Sequence, residues 1–135
     1  MGKNGIPLKN VQKAFSNAIK RRDGRCMVRD YESCYGSLEC SHFFTQGANP
    51  SLMFYPPNAY AQCRKHHFNH HNKKDLFYFQ WITSFHNDDF CKMQNLCHRY
   101  IRYSDELKRK IINLCNQDKL GELSRLIEKE LCYDV

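Results

Sequence analysis

Cys63-Arg-Lys-His66 places a thiol and an imidazole three positions apart, and five of the seven histidines fall between residues 42 and 71. Two such ligands separated by two residues can reach one tetrahedral ion from a single turn at a helix start, the arrangement of a zinc knuckle. The pair needs partners upstream, and Cys26 with Cys34, or Cys26 with Cys40, can supply them. A Cys3His set would form a closed structural zinc site. Cys34 is the preferred third thiol, because Cys40 stands two residues before His42 and would share its face on a strand.

A second group of residues points to hydrolysis. His67 and His71 lie four apart, hence on one face of a helix, so both can address one ion. His70 and Asn69 are further candidates on the same short stretch. His42, on a different element, is free to act as a base with a near-neutral pKa. A metal held by the helix can grip a scissile phosphate while His42 takes a proton from the attacking water. One or two imidazoles completed by phosphate and water suit Mg2+ or Mn2+.

These residues need elements to position them. Leu8, Val11, Phe15, Ala18 and Ile19 recur at helical steps and predict an amphipathic helix over 8–22, closed by Lys20-Arg21-Arg22 and stopped by Asp23-Gly24. Residues 25–62 show no helical period, and segments near 25–29 and 38–45 are expected to pair as a hairpin. From about Asn58 the chain is expected to turn helical, carrying Cys63 and the histidines. Further helices are expected over 74–86, rich in Phe77, Phe79, Trp81 and Phe85, and over 88–101. Ser104-Asp105-Glu106 reads as a helix start, followed by apolar stripes from Leu107 to Leu131. The fold expected is α+β, one domain over 1–135: an N-terminal helix, a zinc-containing core over 23–87 and a helical C-terminal region over 88–135. Packing against the core is the main role expected of the aromatic run Phe77–Trp81, although such rings can also stack on unpaired bases.

Composition sets the class of partner. The 135 residues carry 21 Lys and Arg against 14 Asp and Glu, a net charge of +7. That balance favours a polyanion, most simply DNA. Arg21, Arg22, Arg64, Lys65, Lys73 and Lys74 are the candidates for phosphate contacts. With 41% hydrophobic residues the chain is not wholly disordered. Leu76–Ile82, its longest apolar run, is too short to span a bilayer, so no membrane partner is expected. Met1-Gly-Lys-Asn-Gly-Ile-Pro lacks a hydrophobic signal, so a cytoplasmic, reducing compartment is expected and the eight cysteines are not read as a disulfide framework.

Ser41-His42 followed by Asn58-Ala-Tyr-Ala-Gln-Cys63-Arg-Lys-His66-His67 resembles the signature of the HNH, or ββα-metal, endonucleases. That signature has a His on the second strand of a hairpin, an Asn in the following loop and a C-x-x-C-H or C-x-x-C-N opening a helix. The closer likeness is to the NinG/Rap recombination nucleases of lambdoid phages, through Ala18-Ile-Lys-Arg-Arg-Asp23, Cys26, Ser41-His42-Phe43, Leu52-Met-Phe54, Asn58 and Gln62-Cys63. It covers about residues 12 to 85. The resemblance implies that His42 is the general base, Asn58 holds its loop, and His67 binds the catalytic divalent ion. It further implies that Cys26, Cys34, Cys63 and His66 bind structural zinc. The implied activity is endonucleolytic cleavage of branched DNA such as Holliday junctions, by a phage-encoded enzyme in the bacterial cytoplasm and as a possible homodimer. Three departures stand out: Arg29 where a second knuckle Cys usually falls, Ser41 where an Asp or His often ligates the metal, and an unaligned His67-Phe-Asn-His-His71. The alternative is a zinc-stabilised DNA-binding module without cleavage. A third reading makes helices 88–132 a protein-interaction surface.

Overall fold

In the computed structural model, which describes residues 5–132, six helices surround a two-stranded antiparallel sheet. Helix α1 (Leu8–Asp23) is amphipathic as its sequence demands, and Val11, Phe15, Ala18 and Ile19 are all buried. Gly24, at φ 71, ends it in the left-handed conformation while its N–H bonds to the Lys20 carbonyl.

Strand β1 (Leu38–His42) pairs with β2 (Ala59–Cys63), with Leu38 opposite Cys63 and His42 opposite Ala59. This corrects the expected hairpin. Segment 25–29 is a series of turns that contributes one bond to the sheet region, from the Met27 N–H to the Ala61 carbonyl. The Asp23 carboxylate takes the Ala61 N–H at 2.8 Å, so that position of β2 cannot pair with a further strand. His42 therefore ends the first strand of the pair, not the second.

The expected helical turn at Asn58 is corrected too. Two short 3-10 turns, Pro50–Leu52 and Pro56–Asn58, lead into β2, whose five residues are all buried. Helix α2 (Arg64–His71) begins only after Cys63, whose Sγ caps it by accepting from the His66 N–H. Helix α3 (Phe77–Phe85) is shorter than the 74–86 expected, and α4 (Asn87–Leu96) stops five residues before Ile101. Tyr100, within the span expected to be helical, is exposed and lies beyond the helix. Tyr103 reaches back instead, its hydroxyl bonding the Pro50 carbonyl.

Helix α5 (Asp105–Asn116) starts at Ser104, whose side chain caps the Leu107 N–H, and α6 (Leu120–Cys132) follows. Helix α5 lies against α1, where the Ile6 N–H meets Asp105, Lys108 bonds the Ile6 carbonyl and Arg21 bonds Asp118. One hydrophobic cluster runs from Val11 through Leu131 and includes residues of both regions. Among the described residues, no helix is long and apolar enough to cross a membrane.

Candidate functional site

Cys26, Cys34, Cys63 and His66 converge, with their ligand atoms within 4.8 Å of one another. His66 Nδ1 lies 3.3 Å from Cys26 Sγ, 3.9 Å from Cys34 Sγ and 3.2 Å from Cys63 Sγ. Ligands at the corners of a zinc tetrahedron are separated by about 3.6 Å for sulfur to nitrogen. The observed separations bracket that edge, so the four side chains can hold a metal ion such as zinc.

Local structure explains the convergence. The turns after Gly24 aim Cys26 at the end of β2, and Cys63 and His66 share the first turn of α2. Cys34 arrives on a loop pressed onto α2, where the Lys65 N–H bonds the Tyr35 carbonyl. Gly36 permits the approach: at φ 90, a Cβ there would stand 2.7 Å from Arg64 Cβ. Cys40, the other candidate, lies outside the group. It faces α1 near Ser16 on the same strand face as His42, and burial pushes its thiol up to about 12.

The thiols influence one another. Burial, with the neighbouring Cys26 and Cys63, pushes the Cys34 thiol up to about 12. Burial also raises Cys26. Cys63 is buried as well, but the His66 and Tyr35 backbone groups and the other two thiols outweigh that effect and hold it below its ordinary value. Three thiolates need a cation to ionise together, and a bound metal supplies it. Behind the group, His66 Nε2 is buried without a hydrogen bond and faces Glu32 Oε1 at 3.8 Å. A carboxylate behind a ligating imidazole fixes its tautomer and orientation.

His42 closes β1 with its ring stacked on Phe15 at 5.7 Å. Its Nε2 lies 2.8 Å from the Met53 carbonyl. A carbonyl only accepts, so Nε2 carries the proton and Nδ1 carries the lone pair. Burial lowers the His42 pKa, against the Met53 bond, and keeps the ring neutral. Asn58, fully buried, ties the loop after His42 together. Its Oδ1 accepts from the Phe44 N–H, and its Nδ2 donates to the carbonyls of Phe44 and Leu52.

On α2, His67 Nδ1 is 2.8 Å from Glu39 Oε1 and His67 Nε2 is 2.8 Å from His71 Nε2. The Glu39 carboxyl is lowered by its bond to His67, against burial, with help from Arg64. With Nδ1–H donating to Glu39, His67 Nε2 turns its lone pair toward His71. The two Nε2 atoms are within hydrogen-bonding distance, so one ring can donate to the other. Ser41 Oγ is buried without a partner, on the strand face it shares with Glu39. His70 is turned differently: its Nε2 lies 3.2 Å from the Phe43 carbonyl, and its ring stacks on Phe43.

The basic candidates divide. Arg22 is tied inward, bonding Asp23, the carbonyls of Pro56 and Ala59 at 3.2 and 2.6 Å, and covering the Tyr60 ring at 4.5 Å. Arg21 joins Asp118 and the Cys115 carbonyl. Arg64 pairs with Glu39, and Lys65 with Glu32 and the Ser33 carbonyl. Lys74 lies over the Phe68 ring, and Lys73 adopts φ 54 in the turn after α2.

Sequence reasoning missed Glu39 and Glu32, since a carboxylate among fourteen announces nothing by type, and it read Asp23 as a helix stop without its bond to β2. Glu39 alone left a signal, standing two positions before Ser41 on the same face of a strand. No family model, curated protein or solved structure matches the chain.

Proposed function

We propose that the chain is a metal-dependent DNA endonuclease of the HNH, ββα-metal type, acting on branched DNA. The observation that carries this reading is His42: a neutral imidazole whose Nε2 is committed to the Met53 carbonyl and whose Nδ1 is left as a base. Asn58 fixes the loop that follows it.

His67 and His71 would hold the catalytic divalent ion, with Glu39 setting the His67 tautomer. Bound there, Mg2+ or Mn2+ would supply Lewis-acid stabilisation of the phosphate and the departing oxygen. His42 Nδ1 takes the proton of a water as its oxygen attacks phosphorus, and the P–O bond to the leaving sugar oxygen breaks. Cys26, Cys34, Cys63 and His66, with zinc bound, hold the start of α2 and thereby the direction of His67. Paired cuts in a junction need two such sites, so the acting species is a dimer in this reading.

The second reading is a zinc-stabilised DNA-binding module without cleavage, favoured by Ser41, a weaker ligand than a carboxylate or imidazole. One experiment separates the two. Wild type and His42→Ala are incubated with supercoiled plasmid and a four-way junction in EDTA, Mg2+ or Mn2+. The expected result is metal-dependent cutting that falls by about 100- to 10,000-fold in the variant while DNA binding persists. Binding without cutting under every metal overturns the nuclease.

A further inference from the structure

His71 borders a pocket of about 350 Å3 that the hydrolytic reading does not use. Its walls are Phe43, His70, Leu76 and Phe79, and its polar lining includes Thr45, Lys73 and Asp75, whose Oδ1 accepts from the Phe77 N–H. The Phe43 ring stacks on Phe79 and His70, with centroids 6.4 and 5.6 Å apart, so the three aromatic lining residues form one connected wall. Leu76 is 66% exposed and Phe79 45% exposed, an uncovered apolar surface within a chain of net charge +7. The volume falls at the low end of the roughly 300–1,000 Å3 of small-molecule sites.

We infer that this pocket receives one unpaired nucleobase of the DNA substrate, next to the phosphate held at His67 and His71. The inference rests on the proposed function and adds how the substrate is recognised. Three features support a base as the occupant. The walls are aromatic and apolar, and every base presents a π-face to such a wall. The lining also offers the Lys73 ammonium and the Thr45 hydroxyl, which can meet the polar edge of a base or its phosphate. The pocket is continuous with His71, so a nucleotide whose phosphate is held there is within reach of it. A base stacked in a duplex cannot enter, whereas a base at a bulge or branch point is already unstacked or costs less to extrude. Selection of branched DNA then follows from a pocket, with no need to measure the angle between duplex arms.

The test compares the affinity of the full zinc-loaded chain, in a His42→Ala background without added Mg2+ or Mn2+, for a duplex and for the same duplex with a single-base bulge. Preference for the bulge is expected at about tenfold, from the stacking of one base. Phe79→Ala and Leu76→Ser are each expected to bring that ratio toward one. Phe85→Ala, on the same helix but outside the pocket, keeps it. Leu76 is exposed enough that its replacement leaves the fold intact, which a melting curve verifies. Equal affinity for the two DNAs, or a preference untouched by Phe79→Ala and Leu76→Ser, overturns the inference. Cleavage by the wild-type chain is scored separately. A pocket-dependent preference without cutting keeps the inference and removes the nuclease, and cutting without a preference does the reverse.

Discussion

At the scale of single residues, buried polar groups decide the behaviour of the site. Asn58 is fully buried and makes three hydrogen bonds to backbone, so Asn58→Ala strands the Phe44 N–H and two carbonyls. The expected loss is on the order of 3 kcal/mol, read from the urea midpoint of the zinc-loaded chain. His42 carries a pH signature. Its folded pKa is lowered by burial from the ordinary 6.5, so the unfolded chain binds the proton more readily. Stability is therefore full above pH 6.5 and declines as the pH falls toward the folded value. His42→Gln removes one titrating group, and the slope of stability against pH below 6.5 should flatten by at most about 1.4 kcal/mol per pH unit. An unchanged slope would show that His42 titrates alike in both states. The chemistry-bearing types, Cys and His, were legible because few other roles compete for them at such spacing. Glu39 and Glu32 were not, because their value comes only from the imidazoles they face.

At the scale of elements, the strong periodic signals were legible and the weak ones were not. Helix α1 and the Ser104 start of α5 follow from apolar spacing, a left-handed Gly24 and a capping hydroxyl. Strand β2 escaped notice because Ala-Tyr-Ala-Gln-Cys is buried on both faces and shows no alternation of polarity. Its partner was misassigned because the Asp23 carboxylate that occupies the Ala61 N–H belongs to the preceding helix. The choice between Cys34 and Cys40 also lies at this scale, since the loop at Gly36 delivers one and the strand turns the other toward α1. Cys34→Ser should lower bound zinc and the melting temperature. Cys40→Ser should retain one zinc per chain, as measured by elemental analysis. Zinc lost equally from both would show that the cluster is not the binding site.

For the whole molecule, net charge has to be sorted by what each cation already touches. Arg22 grips two carbonyls and the Asp23 carboxylate, so Arg22→Met should act on stability, at about 2 kcal/mol for its charge-assisted bonds. Lys73, beside the pocket, should act on DNA. Lys73→Asn, chosen because Asn tolerates the φ of 54, should weaken binding and lower the slope of log affinity against log salt by about one. An unchanged salt slope would place Lys73 off the DNA path. The proposed division at residue 88 also takes on a different meaning here. Leu107, Ile111 and Cys115 belong to the same buried cluster as Val11 and Phe15, so cutting the chain near residue 87 would bare the face of α1. Helix α1 is synthesised well before α5, yet α5 covers much of it, and just before α1 the Ile6 N–H meets Asp105, 99 residues away in sequence. During synthesis the part of its apolar stripe that α5 covers must wait for that helix, and in that interval nascent copies are most exposed to chaperones and to one another.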